Sequence, residues 1–456
     1  MQKQITDKLR LFTSDYGMIF VLLTLCVLFS ILTNKQQNPR DAAAAERLAK
    51  QILSQHPEAP KVLVLTGESN EATEFSKELS RTLTELGGEV VDVVNGEPAA
   101  MRAALDAVVT NEIDLDVVAC DSQTATYSLI DNLGEKIPKL KDVQVAIPQT
   151  YTYPDFLKAD NLRAVSIRIA VIAIIAIGMT LVIITAGIDL SVGSLIAFSA
   201  VTCALYIRRN GAEEATVTVM IIGSVIPILL CAAVGAFSGF MVAWLRIPAF
   251  IVTLSVMQAS SGVAYLQTQS ESIYQIPKSF TWLGRGLYLG IPHSVILMIL
   301  LYCIAHVMMT RTVLGRYIYS VGGNEEAARL SGVPVKSVLI FCYLVCGALA
   351  GVGGVIRASE LKSGAPNYGQ MVELEVIAAV VVGGASLAGG RGKIFGTLIG
   401  ALIIGVMGNG MNLINIDSKA QKVVLGIVVL GAVVIDTLKT NDKVKRLFRR
   451  VWGLFT

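Results

Sequence analysis

Charge is what this chain has least of: 16% of its 456 residues are Asp, Glu, Lys or Arg, where soluble domains carry about 25%. With 53% hydrophobic residues beside that shortage, an ordinary soluble protein is excluded and a membrane protein is indicated. Histidine is nearly missing. His56, His293 and His306 form no cluster, which argues against a histidine-based metal site. Seven scattered cysteines are too few for a disulfide framework. Six of them (Cys26, Cys203, Cys231, Cys303, Cys342 and Cys346) lie in apolar runs and read as small packing residues, and only Cys120 lies in a polar stretch. No basic tract is interleaved with aromatics, so no nucleic-acid partner is expected.

A phosphate-cradling loop is missing too. It requires a glycine-rich turn followed by Lys and Ser/Thr. The one Gly-Lys pair, Gly392–Lys393, is followed by Ile394, and Leu387 stands where the first glycine belongs. No G-x-G-x-x-G follows Thr66–Gly67, and no catalytic constellation is visible elsewhere. The chain is therefore expected to be neither an ATPase nor any other enzyme, with no metal and no cofactor.

What is present divides sharply by charge. Lys35 to Asp160 holds 12 Lys and Arg against 21 Asp and Glu, while the whole chain has a net charge of +3. An acidic insert is thus carried by a basic membrane body. Apolar runs of the length needed to cross a bilayer, about 20 residues, occur at 17–33, 164–186, 190–207, 216–244, 248–266, 293–310, 335–357, 372–388, 394–413 and 420–438. This predicts about ten transmembrane helices. Lys3, Lys8 and Arg10 precede the first, and Lys439, Lys443, Lys445, Arg446, Arg449 and Arg450 follow the last. The excess of positive charge puts both termini in the cytoplasm. The weak point of this topology is Arg208–Arg209, which falls outside, with Glu213 and Glu214 close behind. No small-residue cleavage site follows the first run, which reads as an uncleaved anchor.

That topology places the insert outside. Short apolar runs at 61–66, 89–94, 116–120 and 143–147 alternate with helical stretches near 71–86, 98–110 and 124–133, after an Ala-rich helix at 41–55. This alternation predicts a parallel α/β sheet with helices on both faces. The fold class is thus an all-α polytopic membrane protein with an extracytoplasmic α/β insert between its first two spans. Its parts are 1–34, 35–152, 153–438 and a basic tail, 439–456.

Three segments carry more than hydrophobicity. In TAGIDLSVGS, Thr185 to Ser194, the acidic Asp189 sits among small residues just before a new apolar run. It reads both as a cap for the next helix and as a helix break lining a path, with Gly187, Ser191 and Gly193 beside it. GGASLAGGRGKIFG, Gly383 to Gly396, echoes it: Gly187–Leu190–Gly193 and Gly384–Leu387–Gly390 share one spacing, with Ser386 between, which makes an internal repeat plausible. In the third, Gly315 to Pro334, Asn324 is a good N-cap, Glu325 and Glu326 suit a first turn, Arg329 suits a last one, and Gly332 with Pro334 stops the helix. The remaining intramembrane acids, Glu373, Glu375 and Asp436, lie near the ends of spans, which gives ion coupling little support.

Together GIDLSVGS, RIPAFIVTL (246–254), GRYIYSVGGNEEAARLSGV and VVVGGASLAGGRGKIFGTLIGALIIGVMGNGMNL resemble the permease subunits of bacterial ABC importers for ribose, xylose, galactose and related sugars. The resemblance covers 1–34 and roughly 153–456. It implies a non-catalytic permease in the cytoplasmic (inner) membrane, paired with a second permease copy, resting on an ABC ATPase subunit and fed by an extracytoplasmic sugar-binding protein. It also makes 311–334 a coupling loop, with Asn324, Glu325, Glu326, Ala327, Ala328, Arg329 and Gly332 as coupling residues. The insert resembles one lobe of such sugar-binding proteins, with Asp121 where they carry a sugar-contacting Asp. An arginine expected early in the first helix is absent at Glu71–Phe75, and the turn after the fourth strand reads AIPQT (146–150). A docking or vestigial domain is therefore expected. A membrane receptor is disfavoured because only 18 residues follow Leu438, and an ion-coupled transporter because midplane carboxylates are lacking.

Overall fold

A computed structural model describes residues 2–440. The tail residues 441–456 lie outside the described residues, as do the side chains of Lys3, Lys8, Arg10, Asp436 and Lys439. The chain forms two compact units, Asn34–Pro154 and, around it in sequence, Met1–Thr33 with Asp155–Thr456.

The membrane unit begins with helix α1 (Gln2–Leu32), and the α/β unit follows. Its ends are zipped together: β1 (Asn34–Gln37) pairs antiparallel with β6 (Tyr151–Pro154), Asn34 opposite Pro154. Between them lie α2 (Ala42–Gln55), β2 (Lys61–Thr66), α3 (Asn70–Glu85), β3 (Glu89–Asn95), α4 (Pro98–Thr110), β4 (Val117–Cys120) and β5 (Gln144–Ala146). The sheet is parallel in the order β3-β2-β4-β5. Alternation along β2 explains the layers. Val62 and Val64 join Leu48, Phe75 and Leu79 on one face, and Leu63 and Leu65 join Met101, Leu105 and Cys120 on the other. Right-handed crossovers thus put α3 on one side, where α2 packs beside it, and α4 on the other. The helical stretch near 124–133 is broken into short pieces, Thr124–Thr126, Ser128–Asp131 and Leu133–Lys136.

The membrane unit resumes with α5 (Ala159–Ile184), α6 (Val192–Arg209), α7 (Val217–Leu245), α8 (Ala249–Thr268), α9 (His293–Arg311), α10 (Val313–Gly323), α11 (Glu325–Leu330), α12 (Val335–Leu361), α13 (Val372–Val382), α14 (Ile394–Leu413) and α15 (Ser418–Thr440). Helix α5 is central, buried over 94% of its most apolar stretch, whereas α7, α8 and α9 turn apolar residues such as Phe237, Leu266 and Ile299 outward. Without water, only helices satisfy their own backbone in lipid. Close packing supplies the adhesion. A Cβ at Gly347 would stand 3.1 Å from the Gly235 Cα, and one at Gly351 2.9 Å from the Ile228 Cα, so α12 lies directly on the backbone of α7.

Of the ten expected spans one, 372–388, is corrected, while the runs 17–33 and 420–438 lie in helices α1 and α15. Among the described residues seven helices are long and apolar enough to cross a membrane. The run 372–388 is not one of them: its helix α13 has 11 residues and stops at Val382, about 16 Å at 1.5 Å per residue, half of a ~30 Å hydrocarbon core. Two glycines, Gly383 and Gly384, the latter with φ 88°, end it.

The zipped ends of the α/β unit predict that residues 34–154, expressed alone, fold cooperatively. Cys120 is the only cysteine in that segment, and burial pushes its thiol up to about 12, so the reactive thiolate is scarce at pH 8. Alkylation at pH 8 should therefore be blocked in buffer and appear with the unfolding transition in urea. Immediate alkylation in buffer would show that this segment does not fold alone.

Candidate functional site

Two interrupted crossings meet inside the membrane unit. The first is the non-helical stretch 185–191 followed by α6. Gly187 abuts the Tyr343 hydroxyl, while the Ile196 carbonyl abuts Gly354, eleven residues further along α12, or roughly 16 Å. Residues 187–196, the last five of them already in α6, therefore climb together along α12. Asp189 is fully buried on it. Its Oδ1 accepts from the Ser191 amide at 2.9 Å and the Ser191 hydroxyl at 2.6 Å. The carboxylate thus closes the turn just before α6 rather than capping an amide within the helix. The Asp189 Oδ2 and the Tyr343 hydroxyl are buried without a hydrogen-bond partner.

The second crossing runs the other way, with 362–371 descending and α13 completing it. Gly364 exchanges hydrogen bonds with Ile273 at 2.8 and 2.9 Å and lies against Ala200 and Ala204 of α6, whereas Gly369 lies against Gly193 and Ile196. The first turns of α6 and α13 therefore adjoin: a Cβ at Gly193 would collide with the Glu373 carboxylate and the Gly369 carbonyl. Beside this point the Arg168 guanidinium of α5 donates to Glu375 Oε1 at 2.9 Å.

The loop 383–393 after α13 returns to the first break. The Gly390 amide donates to the Ile184 carbonyl at 2.8 Å, and Gly389 packs on Ala186. Gly384 and Gly390 have positive φ, whereas Gly193 lies in the first turn of α6. The shared glycine spacing thus does not mark equivalent conformations. Helix α10 lies over the end of α5 and the loop 383–393. A Cβ at Gly322 would collide with the Ile184 carbonyl and come 2.6 Å from the Gly390 amide, and the Tyr319 hydroxyl donates to the Gly392 carbonyl at 2.7 Å.

Helix α11 continues α10 after one residue, and that residue is its cap: Asn324 Oδ1 accepts from the Ala327 amide at 2.9 Å. Glu325, Glu326, Ala327, Arg329 and Leu330 are exposed and Ala328 is buried. Arg329 hydrogen-bonds Glu326 and holds its carboxyl below the ordinary range. Gly332, at φ 83°, reverses the chain, and the Val333 amide returns to the Ala328 carbonyl at 3.0 Å. Of the named residues, Gly187, Asp189, Ser191 and Gly193 lie along the first break. Gly384, Ser386 and Gly390 lie on the loop that touches it, and α11 connects to both through α10.

Asp121 belongs to the separate α/β unit. It is almost fully buried, accepts from the Thr124 amide at 2.6 Å, and has Arg40 Nε 3.7 Å from its Oδ2. Nearby, the Ser122 and Thr124 hydroxyls are buried without partners. Arg40 went unnoticed in the sequence because it lies before the first parallel strand, 81 positions from Asp121. Arg168 and Arg357 went unnoticed because each is a single charge at the edge of a long apolar run. Among the described residues no three His, Cys, Asp or Glu side chains come together to hold a metal ion.

The family described as "Branched-chain amino acid transport system / permease component" matches residues 161–433. The chain belongs to this permease family. The ribose import permease of Escherichia coli strain K12 is 43% identical over 302 residues, 65% of this chain and 91% of that protein. The ribose import permease of Bacillus subtilis strain 168 is 40% identical over 296 residues, 63% and 88%. An L-arabinose ABC transporter permease of Azospirillum brasilense is 34% identical over 292 residues, 64% and 84%. No solved structure matches the chain. The protein is thus a permease component, a non-catalytic transport subunit of an ABC importer, and its α/β unit lies before the matched region.

The contact of α10 on the end of α5 and the loop 383–393 gives a stability prediction for this permease. Gly322→Val drives a side chain into the Ile184 carbonyl and should cost about 1–3 kcal/mol, read as a lowered Tm in detergent. Exposed Gly323, with nothing within 4 Å of an added Cβ, should accept alanine with less than half that loss.

Proposed function

We propose that this permease carries a monosaccharide of the ribose or arabinose kind through the cytoplasmic membrane by alternating access. The sugar class rests on the names of the ribose and L-arabinose permeases it resembles. In this reading both termini are cytoplasmic, the α/β unit is external, and the complex contains a second permease copy, an ATPase under each copy and a sugar-binding protein. The observation that carries the mechanism is the path from exposed α11, through α10, onto the end of α5 at Ile184 and the loop at Gly390. ATP binding draws the ATPases together, and α11, seated in one of them, moves with it. Because Gly322 leaves α10 no slack against the end of α5 and the loop 383–393, that motion reaches the second crossing directly and the first through Ile184 and Ala186. Nucleotide shifts the balance only through its different affinity for the two states.

The α/β unit is assigned a docking role. Its Asp121 is already engaged by Arg40 and Thr124, and a sugar gripped between two lobes has only one here. Its excess of acidic residues suits a partner with a basic face.

Charge reversal tests the coupling role. Glu325→Lys and Arg329→Glu should each cut sugar uptake at least tenfold while the permease still reaches the membrane, and unchanged uptake in both would refute it. Deletion of 34–154 tests docking. Uptake should fall while the ATPase still co-purifies, whereas full uptake with the same sugar preference would make the unit dispensable.

A further inference from the structure

Where the two interrupted crossings meet, α5, α12 and α13 enclose a cavity of about 330 Å³, at the small end of the 300–1,000 Å³ of ligand pockets. Its polar lining is Arg168, Arg357, Asn367, Tyr368, Gln370 and Glu375, set against aliphatic side chains of α5 and α6. We propose that this cavity is a sugar-binding station within the permease, built for a neutral, pentose-sized polyol, so that the membrane subunit itself takes part in selection. The proposal rests on the functional reading above and adds a site to it.

Three features specify the ligand. The first is charge balance. Arg168 pairs with Glu375 at 2.9 Å and Arg357 with Glu360 at 2.7 Å, so both guanidinium groups are already paired, and the Glu373 carboxylate beside Gly193 further disfavours an anionic ligand. The second is spare hydrogen-bonding capacity. A guanidinium has five N–H donors and a carboxylate about four acceptor sites, and the pair uses one of each on itself. Arg168 and Glu375 side chains keep 31% and 21% of their surface accessible, and so present donors beside acceptors, the arrangement that two adjacent hydroxyls complement. The third is amphipathy: the Tyr368 ring, its hydroxyl held by Ser363 at 2.5 Å, together with Leu361 and Val372, offers a surface to the C–H face of a sugar ring.

The position suits a station on a path. Glu375 lies in the first turn of α13 and Arg168 on the central α5, so their ion pair ties a broken element to the fixed core. A sugar competing for these two groups loosens that tie, and displacement of α13 releases the sugar.

The test uses the complete transporter in proteoliposomes, with binding protein present at saturation and loaded with labelled D-ribose or L-arabinose, so that preference at the binding-protein step is removed. Arg168→Lys and Glu375→Gln are each expected to change the ribose-to-arabinose rate ratio, or to lower both rates, by tenfold or more while the ATPase still co-purifies. Asn367→Ala, an exposed loop change that breaks no ion pair, is expected to shift the ratio two- to fivefold. Unchanged rates and ratio in all three variants overturn the proposal. So does restoration of both by the charge swap Arg168→Glu with Glu375→Arg, which marks the pair as a structural tie only. Failure of the wild-type transporter to carry either sugar overturns the monosaccharide reading itself, and the station with it.

Discussion

Backbone that leaves the helix inside an apolar bundle has no water to bind, and each amide or carbonyl left alone costs several kcal/mol. Among the described residues three such segments, 185–191, 362–371 and 383–393, satisfy one another and their neighbours. The Gly390 amide meets the Ile184 carbonyl, the Ser386 amide meets the Arg391 carbonyl at 3.0 Å, and Gly364 and Ile273 exchange two bonds. Thr253 reaches the Ile188 carbonyl at 3.3 Å and Asp189 takes the Ser191 amide. The irregular segments are therefore tied together, and a displacement of one requires its partners to follow or to exchange bonds. Coupling through such a network needs no long lever.

The close approach of α10 follows from the same constraint. The Ile184 carbonyl accepts from the Gly390 amide and the Gly392 carbonyl from the Tyr319 hydroxyl, and the bare backbone at Gly322 covers the first of them. A side chain at 322 would separate α10 from these groups and leave polar backbone facing a void. Glycine here is a packing requirement, with consequences for the end of α5 and the loop 383–393 at once. The exposed helix α11 inherits rigidity from that contact, because Asn324 alone separates it from α10 and is itself fixed as a cap.

The parts of the fold that follow from period and composition were legible in the sequence. The parallel strands of the α/β unit, its long helices, the capped α11 and the long spans are all written in local patterns. The break at Asp189 was legible too, but the short crossing made by 362–371 and α13 was not. Hydropathy reads 372–388 as one span because Gly383, Gly384 and Ala385 are apolar, yet it is the positive φ at Gly384 that ends α13. Asp189 drew attention as a costly residue, but its depth was hidden, since a non-helical stretch does not keep the rise of a helix. Glu375 looked peripheral for a similar reason: a helix that begins inside the bundle puts its first turn there. Arg168 and Glu375 are 207 positions apart, and no spacing rule joins residues that far apart in sequence.

The α/β unit shows how a domain of 121 residues enters a polytopic core without a structural penalty to that core. The junction residues belong to the core and bond each other: the Thr33 carbonyl accepts from the Asp155 amide at 3.0 Å and the Thr33 hydroxyl from the Phe156 amide at 3.1 Å. Phe29 packs on Phe156 with ring centroids 6.2 Å apart. These contacts hold the two flanking segments at hydrogen-bonding distance, the geometry of a tight connection, whatever is placed between them. The insert's own ends meet the same requirement through Asn34 opposite Pro154. Insertion then costs each part little, because closely spaced termini satisfy both folds at the same point.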